Sequence, residues 1–148
     1  MLTRDVLISD VVCCQPTATA SEVAGLMREH HVGDVVVVAL GPDPRTPIGV
    51  VTDRDLVVEI LAKGIDPGGI QVSHFMRTPV VLAHETEEVE AVIERMHAHG
   101  VRRVPVVDKE KLIGIVTMTD LLCSLNAEMG TMLGVLQQSQ RNERRQRR

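Results

Sequence analysis

The sequence predicts a mixed α/β fold built from two similar halves, and three observations support that class. Residues 49–56 (GVVTDRDL) recur 65 positions later (114 − 49) as residues 114–121 (GIVTMTDL), and such a repeat indicates two copies of one structural unit. Residues 35–38 are four consecutive valines, a run typical of a strand buried on both faces. The apolar residues are almost all aliphatic, with one Phe and no Trp or Tyr, which suits strands packed beneath helices.

The first half begins with a strand or turn and continues as helix, strand, strand and helix. Apolar residues at helical spacing predict a helix that includes residues 23–30. Thr19 and Glu22 have the spacing of a capping box at its start. Residues 35–38 and 48–52 are the two predicted strands, and the Pro-rich stretch between them is a loop.

A second helix is predicted to close the first half and to carry the apolar residues Leu56, Val57, Ile60 and Leu61. Asp53 or a neighbour is its expected N-cap, and it should end at Lys63-Gly64. Residues 65–71 contain Pro67-Gly68-Gly69 and are predicted to form the linker.

The second half repeats this order, with a helix through residues 89–96, strands at 104–107 and 112–117, and a last helix beginning near Thr119. Asp108 to Lys111 should form a tight turn between the strands. The predicted organisation is therefore one domain over residues 1–66, a second over 67–126, a helical extension over 127–140 and a basic, disordered tail over 141–148.

The last helix carries a narrow apolar stripe whose residues alternate steps of three and four. Its members are Leu122, Leu125, Met129, Met132 and Leu136. This heptad-like spacing fits either packing across the core of its own chain or a seam against a second subunit. Gly130 and Gly134 weaken the helix but would permit a partner to approach closely.

Composition excludes several classes of function. The near absence of aromatic side chains disfavours nucleic-acid readers that stack bases, and a formal charge of −4 disfavours broad binding to a phosphate backbone. The Arg-rich segment 141–148 is an exception, to be interpreted either as a solvated tail or as an arm for nucleic acid or an acidic partner.

The cysteines and the absence of membrane-length apolar runs predict a cytoplasmic protein without disulfides. There are three cysteines, an odd number, and no CxxC pair. The six histidines lack partners at metal-ligand spacing, and no nucleophile–base pair or glycine-rich phosphate loop appears. We therefore predict that the protein is not an enzyme and has neither a metal nor a catalytic cofactor.

The repeated segments 49–56 and 114–121 resemble the tandem cystathionine-β-synthase (CBS) domain pair, also called a Bateman module. Residues 76–79 (MRTP) and 100–108 (GVRRVPVVD) add to the resemblance, while residues 30–35 match less well. It extends over about residues 5–125, and two such segments at domain spacing are far more specific than one.

The resemblance implies two β-α-β-β-α repeats that pack through their sheets with pseudo-twofold symmetry and leave a cleft on either side. It implies a homodimer and an adenosine-containing ligand, namely AMP, ADP, ATP or possibly S-adenosylmethionine. It also implies a stand-alone regulatory, energy-sensing module that acts through an effector protein. The alternatives are an S-adenosylmethionine or NADH sensor, or a dimeric scaffold whose Arg-rich tail binds nucleic acid or an acidic partner without any nucleotide.

The resemblance implies a class of ligand, and the residues of the second copy of the repeated segment have the chemistry to bind it. Asp120 would accept bonds from both ribose hydroxyls, Thr117 and Thr119 would donate to ribose or phosphate, and a helix N-terminus favours phosphate. Arg103, with Arg102 as a less certain companion, would bind phosphate. The candidates for the adenine slot are Val11, Val12, Val32 and Gly33. An N-terminal Asp also caps a helix without any ligand, and that simpler role stays open for Asp120 and Asp55.

The two copies differ in charge. Alignment of the strands places Asp34 where the second half has Arg103, and Asp53 where it has Met118. The first cleft would thus gain two acids and lose a cation, which lowers its affinity for an anion. We therefore expect nucleotide to prefer the second cleft. A weaker site on Thr52, Arg54 and Asp55 would stay empty or take a neutral or cationic adenosyl ligand.

Overall fold

A computed structural model describes residues 1–42 and 45–146 of the 148-residue chain. These residues divide into two compact units, Met1–Val116 and a second unit that begins at Thr117 and consists mainly of one long helix. The predicted tail residues Arg147 and Arg148 lie outside the described part.

Both repeats follow the predicted order of elements. The strands are β1 (Cys13–Cys14), β2 (Asp34–Val38), β3 (Pro47–Thr52), β4 (Ala83–His84), β5 (Arg103–Asp108) and β6 (Lys111–Thr117). The helices are α1 (Ala20–His30), α2 (Asp53–Asp55, continued by a π-helical turn over Leu56–Leu61), α3 (Val89–His99) and α4 (Met118–Gln146). A short 3₁₀ turn opens each repeat, at Thr3–Asp5 and at Val72–His74.

Each repeat builds a three-stranded sheet, in the order β1-β2-β3 and β4-β5-β6. The two-residue strands β1 and β4 run parallel to β2 and β5, respectively. β2 and β3 are antiparallel, with Val36 opposite Val50. β1 and β4 are too short to show a strand periodicity, which is why the sequence indicates only a strand or turn there.

The valine run of β2 is buried on both faces, as its continuous apolar character predicts. Val35 and Val37 contribute to a core that also contains Val23 and Met27 of α1. On the opposite face, Val36 and Val38 pack with two residues of β6, Leu112 and Ile115. The two repeats therefore pack through their sheets, as the resemblance implies.

The segment that opens each repeat crosses to the last strand of the other repeat. Ile8 and Ile115 exchange two backbone hydrogen bonds, each with an N···O distance of 2.9 Å. Arg77 and Val50 form the matching bridge, with N···O distances of 3.0 and 3.4 Å. Because Val50 and Ile115 are equivalent within the repeated segment, Ile8 and Arg77 are equivalent too.

The glycine that begins each repeated segment makes room for this crossing. A Cβ atom added to Gly114 would lie 2.6 Å from Cδ1 of Leu7 and 2.8 Å from the backbone oxygen of Ile8. One added to Gly49 would lie 2.6 Å from Sδ of Met76. The repeated Gly is thus explained by close approach of the chain.

The start of α2 fits the prediction that Asp53 or a neighbour caps this helix. The N-cap is the neighbour Thr52, whose hydroxyl accepts from the backbone N–H of Asp55 at 3.2 Å, while the Asp55 carboxylate accepts from the N–H of Thr52 at 2.9 Å. The capping box predicted for α1, with Thr19 and Glu22, is confirmed.

Helix α4 extends to Gln146, so residues 141–146 are helical where the sequence predicts a disordered tail. The residues of its apolar stripe are all exposed, by at least 39%. Both explanations considered for the stripe stay predictions. No helix of the described residues is long and apolar enough to cross a membrane.

Candidate functional site

A cavity of about 340 Å³ lies in the unit Met1–Val116, where the end of β3 meets two segments of the second repeat. We call it the arginine cleft. It is lined by Val50, Thr52, Asp53, Arg54, Arg77, Pro79, Val80, Val81, Gly100, Val101, Arg102 and Arg103. Its volume falls at the lower end of the range typical of small-molecule sites.

Three chain segments form the cleft, and each is positioned by a local feature. The first is the end of β3 with the start of α2, where the backbone turns at the N-cap Thr52. The second is the segment of residues 77–81, which we call the crossing segment. The bridge from Arg77 to Val50 holds it on β3. The third follows α3, which ends at Gly100 in the left-handed conformation with φ of 64°, a geometry that glycine adopts without strain.

Asp55 is buried and its carboxylate is already occupied. Nε of Arg77 donates to Oδ1 at 3.0 Å and to Oδ2 at 3.3 Å, and Nη2 donates to Oδ1 at 2.9 Å. The backbone N–H of Thr52 donates to Oδ2 as well. These bonds use most of the acceptor capacity of a carboxylate. In this structure Asp55 therefore joins the start of α2 to the crossing segment, and ribose could reach it only if Arg77 moved.

Arg103 pairs with Asp34 across the repeats, with an Nε–Oδ1 distance of 3.0 Å. Asp53 lies nearby. A Cβ atom added to Gly33 would lie 3.1 Å from Oδ2 of Asp53 and 3.3 Å from Nη2 of Arg103. Burial raises the pKa of the Asp34 carboxyl, the guanidinium of Arg103 partly opposes this shift, and the charge of Asp53 raises the pKa further. The two acids thus compete with any anion for Arg103.

The other two cleft arginines have no such competitor within ion-pair distance. Among residues 1–42 and 45–145, no carboxylate forms an ion pair with Arg54 or Arg102, and both side chains are exposed. The cleft lining therefore contains four arginines and one acid, Asp53. Such a surface attracts an anion, and a planar guanidinium donates two parallel bonds to phosphate.

Apolar side chains form the remaining part of the cleft. Val50, Val80, Val81 and Val101 line it together with Pro79. A flat aromatic ring that brings its own polar edge can bind against such a surface with backbone groups as partners.

The structure changes the grouping of the predicted site residues. Arg102 and Arg103 were expected to accompany Thr117, Thr119 and Asp120, but they line the cleft that contains Thr52 and Arg54. The assumed separation of Asp34 and Arg103 into different clefts is wrong, because the two side chains form an ion pair. The physical reason is the crossing of the repeats, which combines the repeated segment of one half with strand ends of the other.

The valines predicted for the adenine slot lie against the packed cores. Val12 and Val32 pack against the core of the first repeat, and Val11 packs against the core formed with β6. Their role at a ligand stays a prediction. The bridges and strand registers place Val80, Val81, Val101 and Arg102 at the positions equivalent to Val11, Val12, Val32 and Gly33, and all four line the arginine cleft.

Thr117 and Asp120 repeat one of the two capping hydrogen bonds of the first copy. The Thr117 hydroxyl donates to the Asp120 carboxylate, and the backbone N–H of Asp120 donates to Thr117 Oγ1 at 3.2 Å. The position equivalent to Arg77 is Ile8, whose side chain has no hydrogen-bond donor. The assignment of Thr117, Thr119 and Asp120 to a ligand stays a prediction.

Arg77 and the segment Pro79–Val81 were not predicted as site residues. The sequence does contain a signal for them, since residues 76–79 form one of the segments that carry the family resemblance. Which repeated segment they would face could not be inferred without the crossing.

We expect Asp34→Asn to stabilise the fold modestly at pH 7 and to tighten anion binding several-fold, because Arg103 loses its competing charge. The folded-state pKa of Asp34 is raised, so stability falls as pH rises from the ordinary Asp value of about 3.9 through that raised pKa. The gain in Tm should therefore disappear below about pH 3.9, where the carboxyl is protonated in both states. Thermal denaturation of the parent protein and the variant across this pH range measures the gain. A gain in Tm that persists unchanged at low pH would contradict the prediction.

The structure bears on the chemistry open to Cys14 and on metal binding among the described residues. Burial is the main factor that raises the pKa of Cys14, to about 11, which keeps the thiol protonated and unreactive at neutral pH. Within residues 1–42 and 45–146, no group of three or more His, Cys, Asp or Glu side chains is placed to hold a metal ion.

Comparison with known proteins gives a consistent family match. The CBS domain model matches residues 4–62 and 72–126, which is more than half of the chain. The protein MK0525 of Methanopyrus kandleri is 43% identical over 114 residues, 76% of this chain, and the match spans 57% of its own length. Hypoxic response protein 1 of Mycobacterium tuberculosis is 34% identical over 118 residues, 80% of each chain.

Two solved structures have the same fold. Hypoxic Response Protein I, crystallised with two coordinated zinc ions, superposes with a TM-score of 0.74 at 30% identity, covering 82% of this chain and 97% of that one. The CBS domain protein PAE2072 of Pyrobaculum aerophilum, complexed with AMP, gives a TM-score of 0.74 at 30% identity, covering 82% and 90%.

Proposed function

This chain belongs to the CBS domain family as a tandem pair of such domains, and we propose that it is a regulatory module that binds a phosphate-bearing adenosine ligand in the arginine cleft. The observation that carries the proposal is the lining of that cleft, four arginines beside an apolar surface in a cavity of about 340 Å³. The AMP complex of the Pyrobaculum aerophilum protein supports the class of ligand.

Each part of an adenine nucleotide has a complementary group in the cleft. The valines and Pro79 offer an apolar surface to the base. Asp53 provides a carboxylate that can accept from ribose hydroxyls. Arg54, Arg102 and Arg103 can donate charge-assisted hydrogen bonds to phosphate oxygens. AMP, ADP and ATP all present these three parts, so the choice among them depends on how many phosphates the arginines accept.

We place the phosphate-bearing ligand in this cleft rather than at Thr117 and Asp120, which reverses the preference expected from the sequence. That expectation assigned Arg103 to the second copy. By the equivalence of the repeats, Arg54, Arg77, Arg102 and Arg103 correspond to Thr119, Ile8, Gly33 and Asp34. None of these four residues is a cation, so they offer no counterpart to the arginines that would bind phosphate.

The module would respond to nucleotide because the ligand contacts segments of both repeats at once. A bound nucleotide would contact the end of β3, the crossing segment and the start of β5, which belong to different repeats. It would therefore favour whichever arrangement of these segments binds it more tightly, and a partner protein would respond to the resulting change in population. The proposal is for a binding module without a catalytic step.

The proposal is tested by thermal shift and calorimetry with AMP, ADP, ATP, S-adenosylmethionine and NADH. The phosphate-bearing adenosine ligands should raise Tm, because ligand at about 100 times Kd adds nearly 3 kcal/mol of stability. Arg102→Ala should weaken binding at least about tenfold, the cost of one charge-assisted hydrogen bond.

Arg28→Ala is the matched control, since Arg28 is an exposed arginine of α1 that does not line the cleft. It should leave affinity unchanged. Absence of any shift at millimolar nucleotide, or equal binding by the Arg102 variant, would contradict the proposal. A response confined to S-adenosylmethionine would instead identify an adenosyl sensor.

A further inference from the structure

Arg77 is held at two points in the arginine cleft. Its backbone exchanges hydrogen bonds with Val50 of β3, with N···O distances of 3.0 and 3.4 Å. Its guanidinium donates from Nε and Nη2 to the carboxylate of Asp55, at distances between 2.9 and 3.3 Å. The side chain of Arg77 is nonetheless 55% exposed, whereas that of Asp55 is 8% exposed. Arg77 is thus fixed from the protein side and accessible from the cleft that it lines.

The pairing with Asp55 uses only one edge of the Arg77 guanidinium. An arginine side chain has five N–H groups, and Asp55 accepts from the one on Nε and from one of the two on Nη2. Within the part of the chain that the structure describes, every side-chain hydrogen bond of Arg77 goes to Asp55. The edge formed by Nη1 and Nη2 therefore keeps three N–H groups, enough for two parallel bonds to a phosphate group.

Asp55 is itself held by the turn that begins α2. Its carboxylate accepts from the backbone N–H of Thr52 at 2.9 Å, and its own N–H donates to the Thr52 hydroxyl at 3.2 Å. A binding group that is locked by such supporting bonds loses less conformational freedom when a ligand arrives. The bonds from Thr52 and Arg77 also occupy the acceptor sites that ribose hydroxyls would need. These contacts suit Asp55 to support Arg77 rather than to contact ribose.

We propose that Arg77 is a further phosphate ligand of the arginine cleft and that Asp55 is the positioning residue that orients it. The inference rests on the proposed function for the identity of the ligand. The guanidinium would lie between Asp55 and the phosphate, so the repulsion between the two anions is screened and is smaller than the hydrogen bonds that Arg77 donates. Arg77 would therefore make the cleft select for ligands that carry a phosphate group.

Calorimetric titration with AMP and with adenosine tests both roles. Arg77→Lys should weaken AMP binding about tenfold and leave adenosine binding unchanged, because an ammonium cannot contact Asp55 and a phosphate through two separate edges. Asp55→Asn should also weaken AMP binding without affecting adenosine. In the Arg77→Lys background it should cause no further loss, because Asp55 acts only through residue 77.

Glu59→Gln is the matched control. Glu59 is an acid of the turn that continues α2, pairs with Lys63 and does not line the cleft, so its replacement should leave both affinities unchanged. An equal loss of AMP and adenosine binding in Asp55→Asn would identify Asp55 as a ribose ligand and overturn the proposal. Full AMP affinity in Arg77→Lys would overturn it as well.

NMR on the parent protein tests the arrangement without altering the pair. The Nε–H signal of Arg77, assigned by its absence from Arg77→Lys, should shift when pyrophosphate is added and should stay protected from exchange with water. An unshifted signal would mean that Arg77 does not bind phosphate, and lost protection would mean that it leaves Asp55. Either result would overturn the proposal.

These measurements separate the present inference from the proposed function. Pyrophosphate binding at Arg77 without binding of any adenosine nucleotide would contradict the proposed function alone. Binding of AMP that leaves the Arg77 signal unshifted would contradict the role of Arg77 alone.

Discussion

Replacing Gly114 with alanine should lower the free energy of unfolding by about 3 kcal/mol, combining 1–3 kcal/mol for overpacking with weakened hydrogen bonds of about 1 kcal/mol each. The new Cβ would lie 2.8 Å from the backbone oxygen of Ile8. The segment that contains Leu7 and Ile8 cannot move away without stretching the two 2.9 Å hydrogen bonds between Ile8 and Ile115. For a chain of this size such a loss corresponds to a fall in Tm of about 10 °C.

Gly49→Ala is the matched control, because it is the equivalent glycine of the other repeat. There the added Cβ meets only side-chain atoms of Met76, with Sδ at 2.6 Å and Cγ at 2.9 Å. A methionine side chain has several rotatable bonds and can move aside, so the cost should be near 1 kcal/mol. Urea denaturation of both variants measures the difference, and equal losses would mean that the backbone contact does not set the requirement for glycine.

Arg103→Ala should weaken nucleotide binding by about 100-fold. Loss of a charge-assisted hydrogen bond accounts for 10- to 100-fold at about 1.5–3 kcal/mol, and repulsion adds to it. The repulsion arises because the variant leaves Asp34 without the cation with which it pairs at 3.0 Å. Calorimetric titration with AMP, on protein whose Tm has been checked, measures the loss.

The double variant Arg103→Ala with Asp34→Asn separates these two causes. It lacks the cation but also lacks the uncompensated acid, so binding should recover to about tenfold below the parent protein. If the double variant binds no better than Arg103→Ala, Asp34 does not act on the ligand through Arg103. If Arg103→Ala binds as well as the parent protein, the arginine cleft is not the nucleotide site.

The regular elements were predictable because their signals are local. The valines of β2 indicate burial on both faces, and the structure places Val35 and Val37 in one core and Val36 and Val38 in another. Thr19 and Glu22 cap α1 as their spacing predicts. The two-residue strands β1 and β4 gave no such signal, since they are held by pairing with β2 and β5 rather than by a pattern of their own.

The candidate site was predictable in kind but not in membership. Thr52, Arg54, Arg102 and Arg103, all chosen from the sequence, line one cavity, and their role at a ligand stays a prediction. The expected grouping of Arg102 and Arg103 with Thr117, Thr119 and Asp120 differs from this lining, because an alignment keeps each residue within its own half. Bridges between residues as distant as Ile8 and Ile115 leave no periodicity in the sequence from which the exchange could be inferred.

The sequence alone determined that this protein is a duplicated α/β unit, since hydrophobic period, capping residues and the repeat are properties of neighbouring positions. Its repeated segments also carry the resemblance to the CBS family, which the family match shows. Only the tertiary structure decided which charges share a cleft. A pair such as Asp34 and Arg103 depends on where two distant strands end in space, and Arg77 reaches Asp55 only because its segment crosses onto β3. Charge complementarity acts over a few ångströms, so the crossing of the chain determines which repeat presents a phosphate site.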